Sequence, residues 1–137
     1  MSELIARLAG ELGERVIVRI ETVDGGEGEI ITLLPRNPAA ATVTVEHDPD
    51  GDDEQDELWL TIADDGGEPA DLEWLEKVLR AVFAGRVKAV EGRGRYRLEL
   101  ELSDGDVRHG TSYSFIRGLL PAPGWQGRAT VTQYEPY

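Results

Sequence analysis

Short segments in which apolar and polar residues alternate recur along this chain, and they constrain its fold more than any other feature. The clearest runs from Arg95 to Leu102, where every second residue is apolar. A period of two is typical of a strand with one buried and one wet face. The connections between neighbouring segments are mostly of hairpin length, which predicts antiparallel pairing. Similar segments lie at 16–20, 29–34, 42–45, 58–62, 87–90 and 107–115, with a shorter one around 129–134.

Two other segments have the period of a helix. The first covers residues 2–12, with Ser2 as a capping residue and Gly13 at its end. The second covers residues 69–84, with Pro69 in its first turn and Gly85 after its last. Together these patterns predict an α+β fold, in which an antiparallel sheet of about six to eight strands is packed by two helices. No long linker divides the sequence, so residues 1–137 are interpreted as one domain.

The composition is acidic and contains no cysteine. The absence of cysteine excludes disulfides, zinc–thiolate sites and thiol catalysis. No apolar stretch approaches the ~18 residues of a membrane helix, and no secretory signal is visible, so we expect a cytoplasmic protein. The net charge is −13, and residues 1–76 contain 4 basic and 21 acidic side chains. Such a surface repels nucleic acid and anionic membranes and attracts a basic protein.

The densest charge lies in residues 46–57, which carry eight of the chain's 27 carboxylates between two predicted strands. Acidic residues at alternate positions around Gly51 resemble the calcium loop of the EF-hand family. Pro49 and the strand-like flanks depart from that family, whose loop lies between helices. The alternative is a solvated turn in which like charges repel one another. The resemblance implies calcium as the bound ion and, as its ligands, Glu46, Asp48, Asp50, Asp52 and Glu57.

No catalytic set can be named from the sequence. His47 and His109 have no histidine or cysteine partner nearby, and the Gly25–Gly28 turn lacks the lysine of a phosphate loop. A non-enzymatic protein without a required cofactor is therefore predicted. The basic residues of 86–97 form a stripe that is predicted to pair internally rather than to bind nucleic acid, either with Glu99 and Glu101 or with the acidic hairpin. The stripe consists of Arg86, Lys88, Arg93, Arg95 and Arg97.

These observations favour an acidic domain that binds and neutralises a basic protein, for example an immunity protein acting against a bacterial toxin. Charge complementarity selects the partner, and an exposed tryptophan is a typical anchor at binding hot spots. Two alternatives stay open: a calcium-responsive module that uses residues 46–57, and a small structural domain whose acidic surface serves solubility or salt adaptation. The predicted contacts are Asp48, Asp50, Asp52, Asp53, Glu54, Asp56 and Glu57, with Trp59 as a candidate anchor. The alternation around Trp59 fits a core position equally well, if both faces of the sheet are covered.

Overall fold

A computed structural model describes residues 1–23, 28–48, 57–63, 68–92, 95–103, 105–113 and 129–137. Helix α1 (Ser2–Leu12) is followed by a 3₁₀ turn at Gly13–Arg15. Helix α2 (Leu72–Phe83) separates two groups of strands. The first group is β1 (Val16–Thr22), β2 (Glu29–Pro35), β3 (Val43–Asp48), β4 (Glu57–Ile62) and β5 (Glu68–Ala70). The second is β6 (Val87–Gly92), β7 (Arg95–Glu101), β8 (Val107–Tyr113) and β9 (Thr130–Gln133).

The predicted α+β class is confirmed, although the described strands form two sheets rather than one. The five strands before α2 make a simple meander in the order β1-β2-β3-β4-β5. The four strands after it are ordered β8-β7-β6-β9, so the last strand returns to pair with β6. Every pairing is antiparallel. The strand count is nine within the described residues, against the six to eight expected.

The beginnings of both helices differ from the prediction. Pro69 lies in β5, opposite Trp59, and α2 begins only at Leu72. Asp71 caps α2, because its carboxylate accepts a 2.7 Å hydrogen bond from the Trp74 backbone N–H. In α1, Ser2 is already helical, and its hydroxyl donates to Glu29 at 2.9 Å rather than capping the helix.

One hydrophobic core joins both helices to both sheets. In the first sheet, buried Ile31 and Leu33 lie opposite Val45 and Val43, so one face of the sheet packs inward. Helix α1 contributes Ile5, Leu8 and Leu12 to the same buried cluster, and Leu8 is 1% exposed. From α2 and the second sheet the core receives Leu75, Val78, Leu79, Ala81, Val82, Val87, Ala89, Leu98, Leu100 and Leu102.

The final residues of the sequence connect α2 to the segment between β2 and β3. Tyr137 is 7% exposed, and its ring centroid lies 4.8 Å from that of Phe83 at the end of α2. Its hydroxyl donates a 2.6 Å hydrogen bond to the Ala41 carbonyl. The Asn37 side chain donates to the Pro136 carbonyl at 3.0 Å, which fixes the same segment from the other side.

Candidate protein-binding surface

Two hairpin connections leave the five-stranded sheet at the same end. Strands β1 and β2 are joined through residues 23–28, and β3 and β4 through residues 49–56. In an antiparallel meander, the first and third connections lie at one end and the second at the other. Residues 21–29 and 46–57 carry four and eight carboxylates, respectively, and neither segment contains lysine or arginine. We call this the acidic end of the sheet; its described side chains are Glu21, Glu29 and Glu46.

Trp59 lies beside the acidic end on the outer face of the sheet. Its neighbours Leu58 and Leu60 are buried, so alternation places Trp59 on the opposite face, where it is 39% exposed. It is opposite Glu46 on β3 and Pro69 on β5, and both of these side chains are exposed. The sequence left open whether this tryptophan was core or surface, and the structure places it at the surface between an acidic and an apolar neighbour.

The predicted contact residues have different standing in the structure. Asp48 and Glu57 are opposite each other at the ends of β3 and β4, two positions from the Glu46–Trp59 pair. The first and last residues of the predicted contact run are therefore adjacent across the hairpin. Asp50, Asp52, Asp53, Glu54 and Asp56 lie outside the described residues.

The implied calcium ligands divide in the same way. Glu46 is exposed on the outer face, Asp48 and Glu57 end their strands, and Asp50 and Asp52 lie outside the described residues. Both flanks are strands, in contrast to the helices of an EF-hand. His47 is opposite buried Leu58, on the inward side of β3. The described ranges contain no group of three or more His, Cys, Asp or Glu side chains placed to hold a metal ion.

Two residues of the predicted basic stripe, Lys88 and Arg97, form ion pairs within the second sheet. The Lys88 ammonium lies 2.6 Å from the Glu99 carboxylate, and the Arg97 guanidinium lies 3.4 Å from the same group. Lys88 and Glu99 are directly opposite each other on β6 and β7. Partial burial of Glu99 shields these ion pairs from water, so the two cations are partly neutralised within their own sheet.

A shallow cavity of ≈400 Å³ lies away from the acidic end and was not indicated by the sequence. Its lining includes Arg15, whose guanidinium donates to the Leu12 carbonyl at 3.0 Å and to the Tyr137 carbonyl at 3.5 Å. Arg15 therefore holds the turn after α1 against the final segment of the sequence. The other lining residues are Glu14, Arg36, Asn37 and Tyr137.

Comparison with known proteins finds no matching family model, no matching curated protein and no matching solved structure. Among the described helices, neither is long and apolar enough to cross a membrane. The surface of this chain is therefore the basis for assigning a function, and its most distinctive feature is the acidic end with Trp59 beside it.

Proposed function

We propose that this protein is a non-enzymatic binding domain that captures a basic protein at the acidic end of its five-stranded sheet. An immunity protein that neutralises a bacterial toxin is the most concrete version of this function. The observation that carries the proposal is the arrangement of two acidic hairpins at one end of a sheet, beside an exposed tryptophan.

The charge at the acidic end is not compensated by the described part of the protein. No lysine or arginine there forms an ion pair with Glu21, Glu29 or Glu46. The ion pairs that do form link α1 to α2, lie within one of these helices, or lie in and around the second sheet. An uncompensated cluster of carboxylates produces a field that reaches about one Debye length, ~8–10 Å at physiological salt. Such a field accelerates the approach of a cationic surface.

Trp59 supplies an apolar contact, which the carboxylates of the acidic end do not. Exposed charges mainly set the association rate, whereas a buried aromatic side chain slows dissociation. Trp59 has a carboxylate on one side and the ring of Pro69 on the other, so a partner that covers it buries apolar surface while its cations face Glu46. The carboxylates of the acidic end and the exposed ring of Trp59 together favour a protein partner over a small molecule.

Two variants with equal changes of charge test the proposal. In the first, Asp50, Asp52 and Asp53 become Asn and Glu54 becomes Gln; in the control, Glu3, Glu14, Glu91 and Glu101 become Gln. The intact protein is first used as bait in its native host, and the captured protein is then purified. Association and dissociation rates are measured by surface plasmon resonance at several salt concentrations.

We expect the captured protein to be basic and its association rate to fall at least about tenfold for the first variant at low salt. The control variant should change that rate by less than about twofold, and Trp59→Ala should mainly raise the dissociation rate. Recovery of no basic protein, or equal association rates for the two charge variants, would overturn the proposal.

A further inference from the structure

Exposed apolar side chains are concentrated on β1, an edge strand of the first sheet, and on Val23, the residue after it. Of the eight large apolar side chains that are exposed among the described residues, four lie between positions 17 and 23. Ile20 is the most exposed of them, at 61%. The other three are Ile17, Val18 and Val23, at 43%, 39% and 45%.

The edge formed by β1 has only one of the features that normally protect a sheet edge, the charged side chains Arg19 and Glu21. Exposed edges are usually short, contain proline or are interrupted by charges, because unpaired backbone groups invite another strand. The opposite edge, β5, has three residues and contains Pro69. β1 has seven residues, no proline and apolar side chains on both faces. Its inward face is covered at Val16, which is 9% exposed, but is open at Val18 and Ile20.

The sequence of β1 is self-complementary when two copies run antiparallel about Ile20. In this register Arg19 of one copy is opposite Glu21 of the other, twice by symmetry, and Ile20 is opposite its own equivalent. Val18 then faces Thr22, and Ile17 faces Val23. Every pair joins side chains on the same face, as a continuous sheet requires. Centring the pair on Arg19 instead would place two arginines opposite each other and Ile17 opposite Glu21, which is unfavourable.

We propose that β1 is the interface of a homodimer, in which two copies pair edge to edge about Ile20 to form one sheet of ten strands. The contact is isologous, so the same patch serves both copies and the assembly closes at two. Antiparallel pairing also directs the two acidic ends in opposite directions along the strands. Two chains that each carry a net charge of −13 therefore associate with their most acidic regions apart.

This interface does not include Glu46 or Trp59, which lie on β3 and β4. Glu21 belongs both to the acidic end and to the dimer interface. The variants that test partner capture, at residues 50–54 and at Trp59, leave β1 unchanged, so the two proposals are tested at different residues. A failure of one proposal leaves the other in place, and the two sets of variants distinguish them.

Sedimentation equilibrium from about 1 µM to about 1 mM tests the dimer, a range suited to an interface of one paired strand per copy. We expect the wild-type chain to sediment as a dimer at the upper end of this range. Ile20→Lys should raise the dissociation constant at least tenfold. Val131→Lys is the matched control, since Val131 is 54% exposed on edge strand β9 of the other sheet, and it should leave the dimer intact.

A charge exchange tests the register independently of folding. Arg19→Glu and Glu21→Arg should each weaken the dimer, because each places like charges opposite one another, and the double exchange should restore it. Neither residue forms an ion pair within the described part of the chain, so the exchange breaks none of the ion pairs described there. A wild-type monomer throughout the range, an open series of oligomers, equal weakening by Val131→Lys, or a double exchange that does not recover would overturn the proposal.

Discussion

Gly85 occupies a position in which a residue with a Cβ atom does not fit. Its φ is +69°, which disfavours residues with a Cβ, and an added Cβ would lie 2.6 Å from the Pro136 nitrogen. We expect Gly85→Ala to destabilise the protein by at least about 3 kcal/mol, because backbone strain and steric overlap act together. Gly13 is the matched control, since its φ is +60° but an added Cβ would contact nothing within 4 Å.

Gly13→Ala should therefore cost only the backbone strain, about 1–3 kcal/mol at a φ of 60° and a ψ of −131°, and less than Gly85→Ala. Urea unfolding followed by circular dichroism measures both variants. Equal losses for the two substitutions would show that the segment around Pro136 moves aside without cost, in contradiction to the close approach seen here.

Tyr137 combines a buried ring with a hydroxyl that has a specific acceptor. Tyr137→Phe keeps the contact with Phe83 but leaves the Ala41 carbonyl without its 2.6 Å hydrogen bond, and we expect a loss of about 1–3 kcal/mol. Burial raises the pKa of Tyr137 above its usual 10.0, so the unfolded chain releases this proton first as pH rises. Stability should fall above pH ~10 in the wild type and less steeply in Tyr137→Phe. Parallel unfolding curves at high pH would contradict this.

At the scale of elements, local sequence patterns predict strands and helices but not how they are grouped. The alternation in β7 and the apolar stripe of α2 are long enough to show a period. β5 is not, because a strand of three residues has no measurable period and Pro69 argues against a strand. Proline is tolerated there because β5 lies at the edge. The division into two sheets depends on which strands pair with one another. Alternation within a strand carries no information about its pairing partner.

The sequence predicts part of the candidate surface and leaves the rest undecided. The acidic run at 46–57 is evident in the sequence, and its flanking strands were expected. The position of Trp59 could not be decided, because Leu58, Trp59 and Leu60 give β4 apolar residues on both faces. The approach of Glu21 and Glu29 to the same end follows from the meander order, which only the structure provides.

The two helices are joined by a small network of ion pairs centred on Glu76. Its carboxylate lies 2.9 Å from Arg80 on the same helix and 3.0 Å from Arg7 on α1. Hydrogen bonds from Arg80, and then from Arg7, lower the pKa of Glu76 below its usual 4.5. A lowered pKa stabilises the fold at neutral pH, and this stabilisation is lost as pH falls through the folded-state pKa.

Glu76→Gln should therefore be less stable than the wild type at pH 7, and the difference should disappear in acid below that pKa. Glu73→Gln is the control, because Glu73 pairs only with Lys77 on its own helix among the described contacts, and it should show a smaller difference at pH 7. Carbon-13 NMR titration of the Glu76 carboxyl gives its pKa directly. A normal pKa for Glu76, or a stability difference that persists unchanged in acid, would contradict the network's role.

Repulsion between the negative charges of this protein is greatest at the acidic end of the five-stranded sheet. The chain carries 27 acidic and 14 basic side chains, and four and eight of the carboxylates lie in the two segments at the acidic end. Self-repulsion of this kind lowers the stability of the compact state and is screened by salt. We expect the melting temperature to rise between about 20 and about 300 mM NaCl, because the Debye length shortens over this range to roughly the distance between neighbouring charged side chains.

The same two charge variants locate this effect. Neutralising Asp50, Asp52, Asp53 and Glu54 should reduce the salt-dependent rise more than neutralising Glu3, Glu14, Glu91 and Glu101, because repulsion grows steeply as like charges approach. Calcium and magnesium chloride at equal ionic strength separate screening from a bound ion. Screening alone raises the melting temperature equally with both salts. A rise that occurs only with calcium, and that Gly51→Val abolishes, means that calcium binds the folded state and stabilises it by mass action. The first outcome keeps the acidic end as a surface for a basic partner, and the second makes it a metal loop on a β-hairpin.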